Sequence, residues 1–182
     1  AEKMIEVVEA QVKARVGEYI YAVDDENMEE VVAKLLKDNC LTVACAESCT
    51  GGMLASRLTS ISGSSMYIKG SIVTYSNEAK MKFLDVDKEI LDTKGAVSPE
   101  VAKQMAEGVR KAVGSDIGVG ITGIAGPTGG TDKKPVGLVY IAVAGKDNTV
   151  VKENVFSGDR ARVRYRSTQQ ALEMIRQYIK NK

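Results

Sequence analysis

The 182-residue chain contains no histidine. That absence removes every Ser-His-Asp and Cys-His mechanism and most transition-metal sites, leaving acid-base chemistry to carboxylates, lysine, tyrosine or cysteine. Cysteine is also scarce. Cys40, Cys45 and Cys49 crowd into one short stretch, an odd number with neither a disulfide framework nor zinc-ligand spacing, so reduced thiols are expected. Charge of one sign is missing too: 25 Lys and Arg stand against 24 Asp and Glu. Attraction to DNA or to an anionic membrane surface is therefore not expected. No apolar run is long enough to span a bilayer, and the N-terminus lacks a charged-then-apolar signal pattern, so a cytoplasmic location is the expectation.

With 44% hydrophobic residues, a chain of this length can bury one substantial core. The opening stretch, to about Val23, reads as a helix with apolar Met4, Val7, Val8 and Val12, then a short strand at Tyr19–Val23. The acidic run from Asp24 to Asn27 reads as a linker or helix start. Met28, Val31, Val32, Leu35 and Leu36 follow the spacing of a helix with one buried face, capped by Asn27 or Asp25. Leu41–Ala46 suits a buried strand, which Thr50-Gly51-Gly52 turns into a helix carrying Met53, Leu54, Leu58 and Ile61. Tyr67–Tyr75 reads as a second strand. Ser76-Asn77-Glu78 then starts a helix to about Leu84, and Ser98-Pro99 starts another. Ile117–Thr122 is a strand, and Gly123–Pro135, with four glycines, a loop. Val136–Ala144 and Val150–Phe156 form a hairpin, and a long helix runs from Asp159 to Ile179. The pattern predicts an α/β domain with a mixed sheet covered on both faces.

Ser48 follows a strand and precedes a helix, where the N–H groups of Cys49, Thr50 and Gly51 are candidates to hold a developing oxyanion. An isolated serine at such a place is more often a helix cap. As a nucleophile it needs a base, and without histidine a desolvated lysine is the candidate. Lys80 stands near a helix start, level with Ser48 if the two strands are parallel, although most helical lysines are solvated. Cys49 and Cys45 compete as nucleophiles because a thiol at a helix N-terminus has a lowered pKa; Cys45, on the strand, reads as core. Gly123–Gly130 resembles a backbone nest for a phosphate or ribose, or else a mobile loop. Arg160, Arg162, Arg164 and Arg166 crowd a helix start, where cations oppose the dipole and suggest an anionic partner. Arg164 and Arg166 read as a solvated face, and Arg160 as the one placed to reach a site.

Five ordered segments, Ala46-Glu47-Ser48-Cys49-Thr50-Gly51-Gly52, Tyr75-Ser76-Asn77-Glu78-Ala79-Lys80, Gly95-Ala96-Val97-Ser98, Thr122-Gly123-Ile124-Ala125-Gly126-Pro127 and Ser157-Gly158-Asp159-Arg160, together resemble the CinA (competence/damage-inducible) C-terminal domain family. The resemblance covers about Met28 to the end. It implies a three-layer α/β/α sandwich with a mixed, mostly parallel central sheet over residues 27–182. Residues 1–26 then resemble the tail of a connecting region, with a separate N-terminal domain expected in a full-length protein.

The resemblance further implies a nicotinamide-nucleotide amidase with a Ser-Lys mechanism, no required metal or other cofactor, and a homodimer. Carried over by position, Ser48 is the nucleophile and Lys80 its base, with Tyr75 and Thr122 supporting them. Arg160, Gly123 and Gly126, with Cys49, Thr50 and Gly51, are then the substrate-binding set. The implied substrate is nicotinamide mononucleotide, cleaved to nicotinic acid mononucleotide and ammonia. The alternatives are an amidase with another substrate, or a non-catalytic module that senses a nucleotide or docks a competence or recombination partner.

Overall fold

The computed structural model describes residues 2–23 and 25–181. Ala1, Lys182 and Asp24, the first acid of the acidic run, lie outside the described residues. Helix α1 (Glu2–Val16) ends in a 3-10 turn at Gly17–Tyr19. The strand expected at Tyr19–Val23 does not form, because the segment has no strand beside it with which to pair. The apolar side of α1 is exposed, Met4 at 75% and Val8 at 58%.

From Asn27 onward the elements follow the sequence pattern closely. Asn27 caps α2 (Met28–Asp38) through a capping box in which its side chain accepts from the Glu30 N–H and the Glu30 carboxylate accepts from its own. Strand β1 (Val43–Glu47) leads through a loop to α3 (Met53–Thr59). Strand β2 (Ile68–Val73) leads to α4 (Asn77–Leu84), capped by Ser76. A helix missing from the sequence reading, α5 (Lys88–Lys94), is capped by Asp87. Ser98 caps and Pro99 opens α6 (Pro99–Val113). Strands β3 (Ile117–Gly123), β4 (Leu138–Ala144) and β5 (Thr149–Val155) follow, and Asp159 caps the final α7 (Arg160–Lys180).

The five strands form one sheet in the order β2-β1-β3-β4-β5. Strands β2 and β3 lie parallel to β1, β4 opposes β3, and β5 opposes β4. The sheet is thus mixed, with β4 alone running against the rest.

Alternation along the central strands sorts side chains by size onto the two faces. Val43, Cys45, Val119, Ile121, Val139, Ile141 and Val143 meet α2, α3 and α7 in the larger cluster. Ala44 and Ala46 face α4, α5 and α6, and Ala142 and Ala144 face α6. Small residues let α6 settle against the strands: a Cβ on Gly118 would lie 2.0 Å from the Ala106 carbonyl oxygen, and one on Gly120 2.3 Å from that of Ala102. Three layers result, with the edge strands β2 and β5 alternately exposed while β1 is buried throughout. Among the described residues no helix is long and apolar enough to cross a membrane.

Candidate active site

Parallel β1, β2 and β3 end on the same edge of the sheet, and the residues that follow them meet there. Open crevices at the carboxyl ends of parallel strands are where α/β sheets place ligands. A cavity of about 290 Å³ is lined by Ser48, Cys49, Tyr75, Lys80, Thr122, Gly123, Gly126 and Arg160, together with Ala96, Val97 and further residues of the glycine-rich loop. Eight of the ten residues singled out from the sequence therefore share one cavity. Thr50 and Gly51 do not line it.

Lys80 is buried, 1% exposed, on the inner side of α4. Its ammonium donates to the Thr74 carbonyl at 2.7 Å and to Ser48 Oγ at 3.2 Å. Burial pushes the Lys80 pKa below the ordinary lysine value, since desolvation penalises the charged form. The solvated lysine weighed from the sequence is thus replaced by a desolvated one, because the apolar face of α4 turns it inward beneath the end of β2.

The Ser48 loop is held from several sides. The Ser48 N–H donates to the Ile121 carbonyl on β3, and the Gly51 N–H donates back to the Ser48 carbonyl. Gly51 is therefore already engaged and Thr50 is fully buried away from the cavity lining, which leaves the Cys49 amide as the loop donor for an oxyanion. The helix starts at Met53 after the Thr50-Gly51-Gly52 turn, as expected, with Gly52 rather than Ser48 at its N-cap.

That helix start is satisfied by a residue the sequence reading passed over. The fully buried Glu47 carboxylate accepts from the N–H groups of Gly52 (3.0 Å), Leu54 (3.1 Å) and Ala55 (2.9 Å). A glutamate closing a buried strand just before a capless Gly-Gly turn was the available signal. Arg164 was missed as well. It was read as solvated, yet its Nη2 donates to the Thr50 carbonyl at 2.7 Å, one helical turn beyond Arg160 on the side of α7 that faces the loop.

Cys49 is 5% exposed, and burial raises its pKa to about 11. The expectation of a lowered thiol pKa fails because burial penalises the thiolate and the Glu47 carboxylate adds to this, outweighing the Cys49 amide, Arg160 and Arg164. Cys45 is core, as read, and Cys40 is exposed.

Thr122 is buried and donates to the Ala96 carbonyl at 2.7 Å, tying the end of β3 to the loop before α6. Lys134, also unforeseen, donates to the Lys94 and Val97 carbonyls and binds the glycine-rich loop to that same stretch. Tyr75 is exposed at the rim, where its hydroxyl accepts from Arg160 Nη2 at 2.9 Å. Arg160 Nη1 donates to the Gly126 carbonyl at 3.0 Å. Two of its five N–H donors are thereby used to fix the guanidinium at the cavity mouth, with the others left for an anion.

A family model described as the CinA C-terminal domain matches residues 25–179. A Caldanaerobacter subterraneus subsp. tengcongensis protein, provisionally named competence-damage inducible, is 53% identical over 180 residues, covering 99% of this chain and 44% of its own. A CinA-like protein of Kosmotoga olearia is 49% identical over 179 residues, 98% of this chain and 43% of its own. The chain thus spans less than half the length of these relatives. Among solved structures, competence/damage inducible protein CihA of Agrobacterium tumefaciens superposes with a TM-score of 0.79 at 40% identity, over 85% of this chain and 96% of its own. A CinA superfamily protein of Klebsiella pneumoniae gives 0.82 at 31% identity, over 86% and 100%.

Proposed function

Because the chain belongs to the CinA C-terminal domain family, we propose that it hydrolyses the carboxamide of nicotinamide mononucleotide to nicotinic acid mononucleotide and ammonia. The observation that carries this reading is the buried Lys80 ammonium 3.2 Å from Ser48 Oγ, its pKa lowered by desolvation. A lysine that gives up its proton readily is what a serine nucleophile needs in a protein without histidine.

In the proposed reaction neutral Lys80 accepts the Ser48 proton as Oγ bonds to the carboxamide carbon. The oxyanion that forms is met by the Cys49 amide, which is fixed before substrate arrives and so needs no reorganisation. Lys80 then passes its proton to the departing nitrogen, the C–N bond breaks, and ammonia leaves an ester on Ser48. Water, deprotonated by the same amine, attacks the ester carbon, and the proton returns to Ser48 as the acid departs. Arg160, braced by Tyr75 and Gly126, is suited to the nucleotide's phosphate.

The test compares ammonia release from nicotinamide mononucleotide and from free nicotinamide. Turnover of the nucleotide well above that of the bare ring is expected. Equal turnover would sink the nucleotide assignment, and release from neither would favour a binding module.

A further inference from the structure

Among the described residues Glu47 has no cation in bonding distance, an unusual situation for a carboxylate that is 0% exposed. Its charge is held by three amides at the positive end of α3. Such amides ordinarily rely on a side chain at the N-cap, and here the N-cap is Gly52, with φ +92 and no side chain to offer. Both Gly51 and Gly52 have positive φ, the conformation that turns the chain back toward the strand it has just left. The side chain of Glu47 therefore closes a ring: strand end, Ser48, Cys49, Thr50, the two glycines and the helix start, joined back to the strand through the carboxylate.

We infer that Glu47 is a positioning residue whose carboxylate, by gripping the start of α3, fixes the orientation of Ser48 and of the Cys49 amide. The inference rests on the amidohydrolase reading for its consequence in turnover, but not for its effect on Ser48 reactivity. The ring is braced on its outer side by Arg164 at the Thr50 carbonyl and on its inner side by the Ser48 N–H at Ile121. Neither brace reaches the Gly52–Ala55 side, where, among the described residues, Glu47 is the side chain that bonds to the backbone, beside the Met53 N–H to the Thr50 carbonyl. A one-ångström drift of pre-aimed donors is enough to cost about two orders of magnitude in rate.

The test is Glu47→Gln, in which one terminal atom becomes a donor facing an amide donor. The expected result is kcat lowered roughly tenfold to hundredfold per folded molecule, KM within about threefold, and an unshifted rising limb of the pH profile, the limb on which the Lys80 amine becomes free. The limb should hold because Lys80 bonds to Thr74 and Ser48 and not to the Glu47 carboxylate. The labelling rate of Ser48 by a fluorophosphonate should fall in parallel.

A purely structural role predicts the opposite: a lower melting temperature with wild-type kcat and labelling rate in the folded fraction, which would overturn the inference. If Glu47→Gln does not fold, Glu47→Asp, which keeps the charge but falls a methylene short, takes its place. Failure of both to fold would assign Glu47 to structure alone. Wild-type protein that labels at Ser48 without releasing ammonia would overturn the amidase reading while the labelling rates still test Glu47. A wild type that neither labels nor releases ammonia overturns both.

Discussion

Replacing Lys80 with methionine separates the chemistry of the site from its architecture. Methionine approximates the length of the lysine stem and fills the same buried volume, so the inner face of α4 is retained. Two stability terms oppose each other. The variant no longer has to bury an ammonium, which is a gain, but it leaves the Thr74 carbonyl without the donor now 2.7 Å away, a loss of about 1–3 kcal/mol. The net change is expected to stay within about 2 kcal/mol, or roughly 4–8 °C in Tm for a chain of this size.

Turnover should behave differently, since loss of the base costs about 10²- to 10⁴-fold, equivalent to roughly 3–5 kcal/mol of barrier. The pH dependence adds a signed test. Because burial lowers the folded-state pKa of Lys80, the unfolded chain binds a proton between that value and the ordinary lysine value while the folded chain does not. Wild-type stability from this group therefore rises with pH across that window, and the penalty is fully present below it. Wild-type activity should rise through the folded-state ionisation as the free amine appears, and Lys80→Met should lack both dependences. Ammonia release per folded molecule, beside thermal melts across pH, reads all of this. A Lys80→Met enzyme within tenfold of wild type would refute the assignment of Lys80 as base.

Arg160→Ala should raise KM for the nucleotide about tenfold to hundredfold, the worth of a charge-assisted contact, with little effect on turnover of the bare ring; an unchanged KM would remove Arg160 from the binding site. Cys49→Ala should keep most of the activity, and in the wild type Cys40 should react with iodoacetamide first, since the Cys49 thiol is buried with a pKa of about 11; loss of turnover on replacing Cys49 would reopen a cysteine mechanism. Gly118→Ala should destabilise the fold by about 1–3 kcal/mol or more through overpacking, because its Cβ meets the Ala106 carbonyl at 2.0 Å; an unchanged urea midpoint would show that α6 is free to lift.

Helix α2 was legible because its periodicity and its cap act locally, and the β1-to-α3 unit because an apolar strand, a Gly-Gly turn and a helical apolar pattern follow one another within a few residues. The strand expected at Tyr19–Val23 was not, since alternation specifies a strand only where another strand lies alongside. Helix α5 was hidden by its short length and by a charged surface with Leu91 alone fully buried. In the site, Ser48 and Lys80 stood out by motif, but their approach depends on β1 and β2 being parallel neighbours, a long-range fact. Arg164 and Arg160 look alike in sequence. Only the docking of α7 over the Ser48 loop tells them apart, and the same holds for Lys134, whose partners lie about forty residues earlier.

The lone reversed strand has a consequence for how the site is delivered along the chain. Had the sheet stopped at β4, the chain would emerge at the edge opposite the cavity, and a following helix would begin there. Strand β5 restores the original heading, so α7 starts on the cavity edge and brings Arg160 back to the residues that follow β1, β2 and β3. The hairpin is in this sense a return path, and its parity matters more than its sequence. Its turn at Gly145–Asn148 sits a seven-residue strand away from the cavity edge, roughly 23 Å at the usual rise. Length changes there leave the site's register untouched, whereas loss of either strand would carry Arg160 to the wrong end of the molecule.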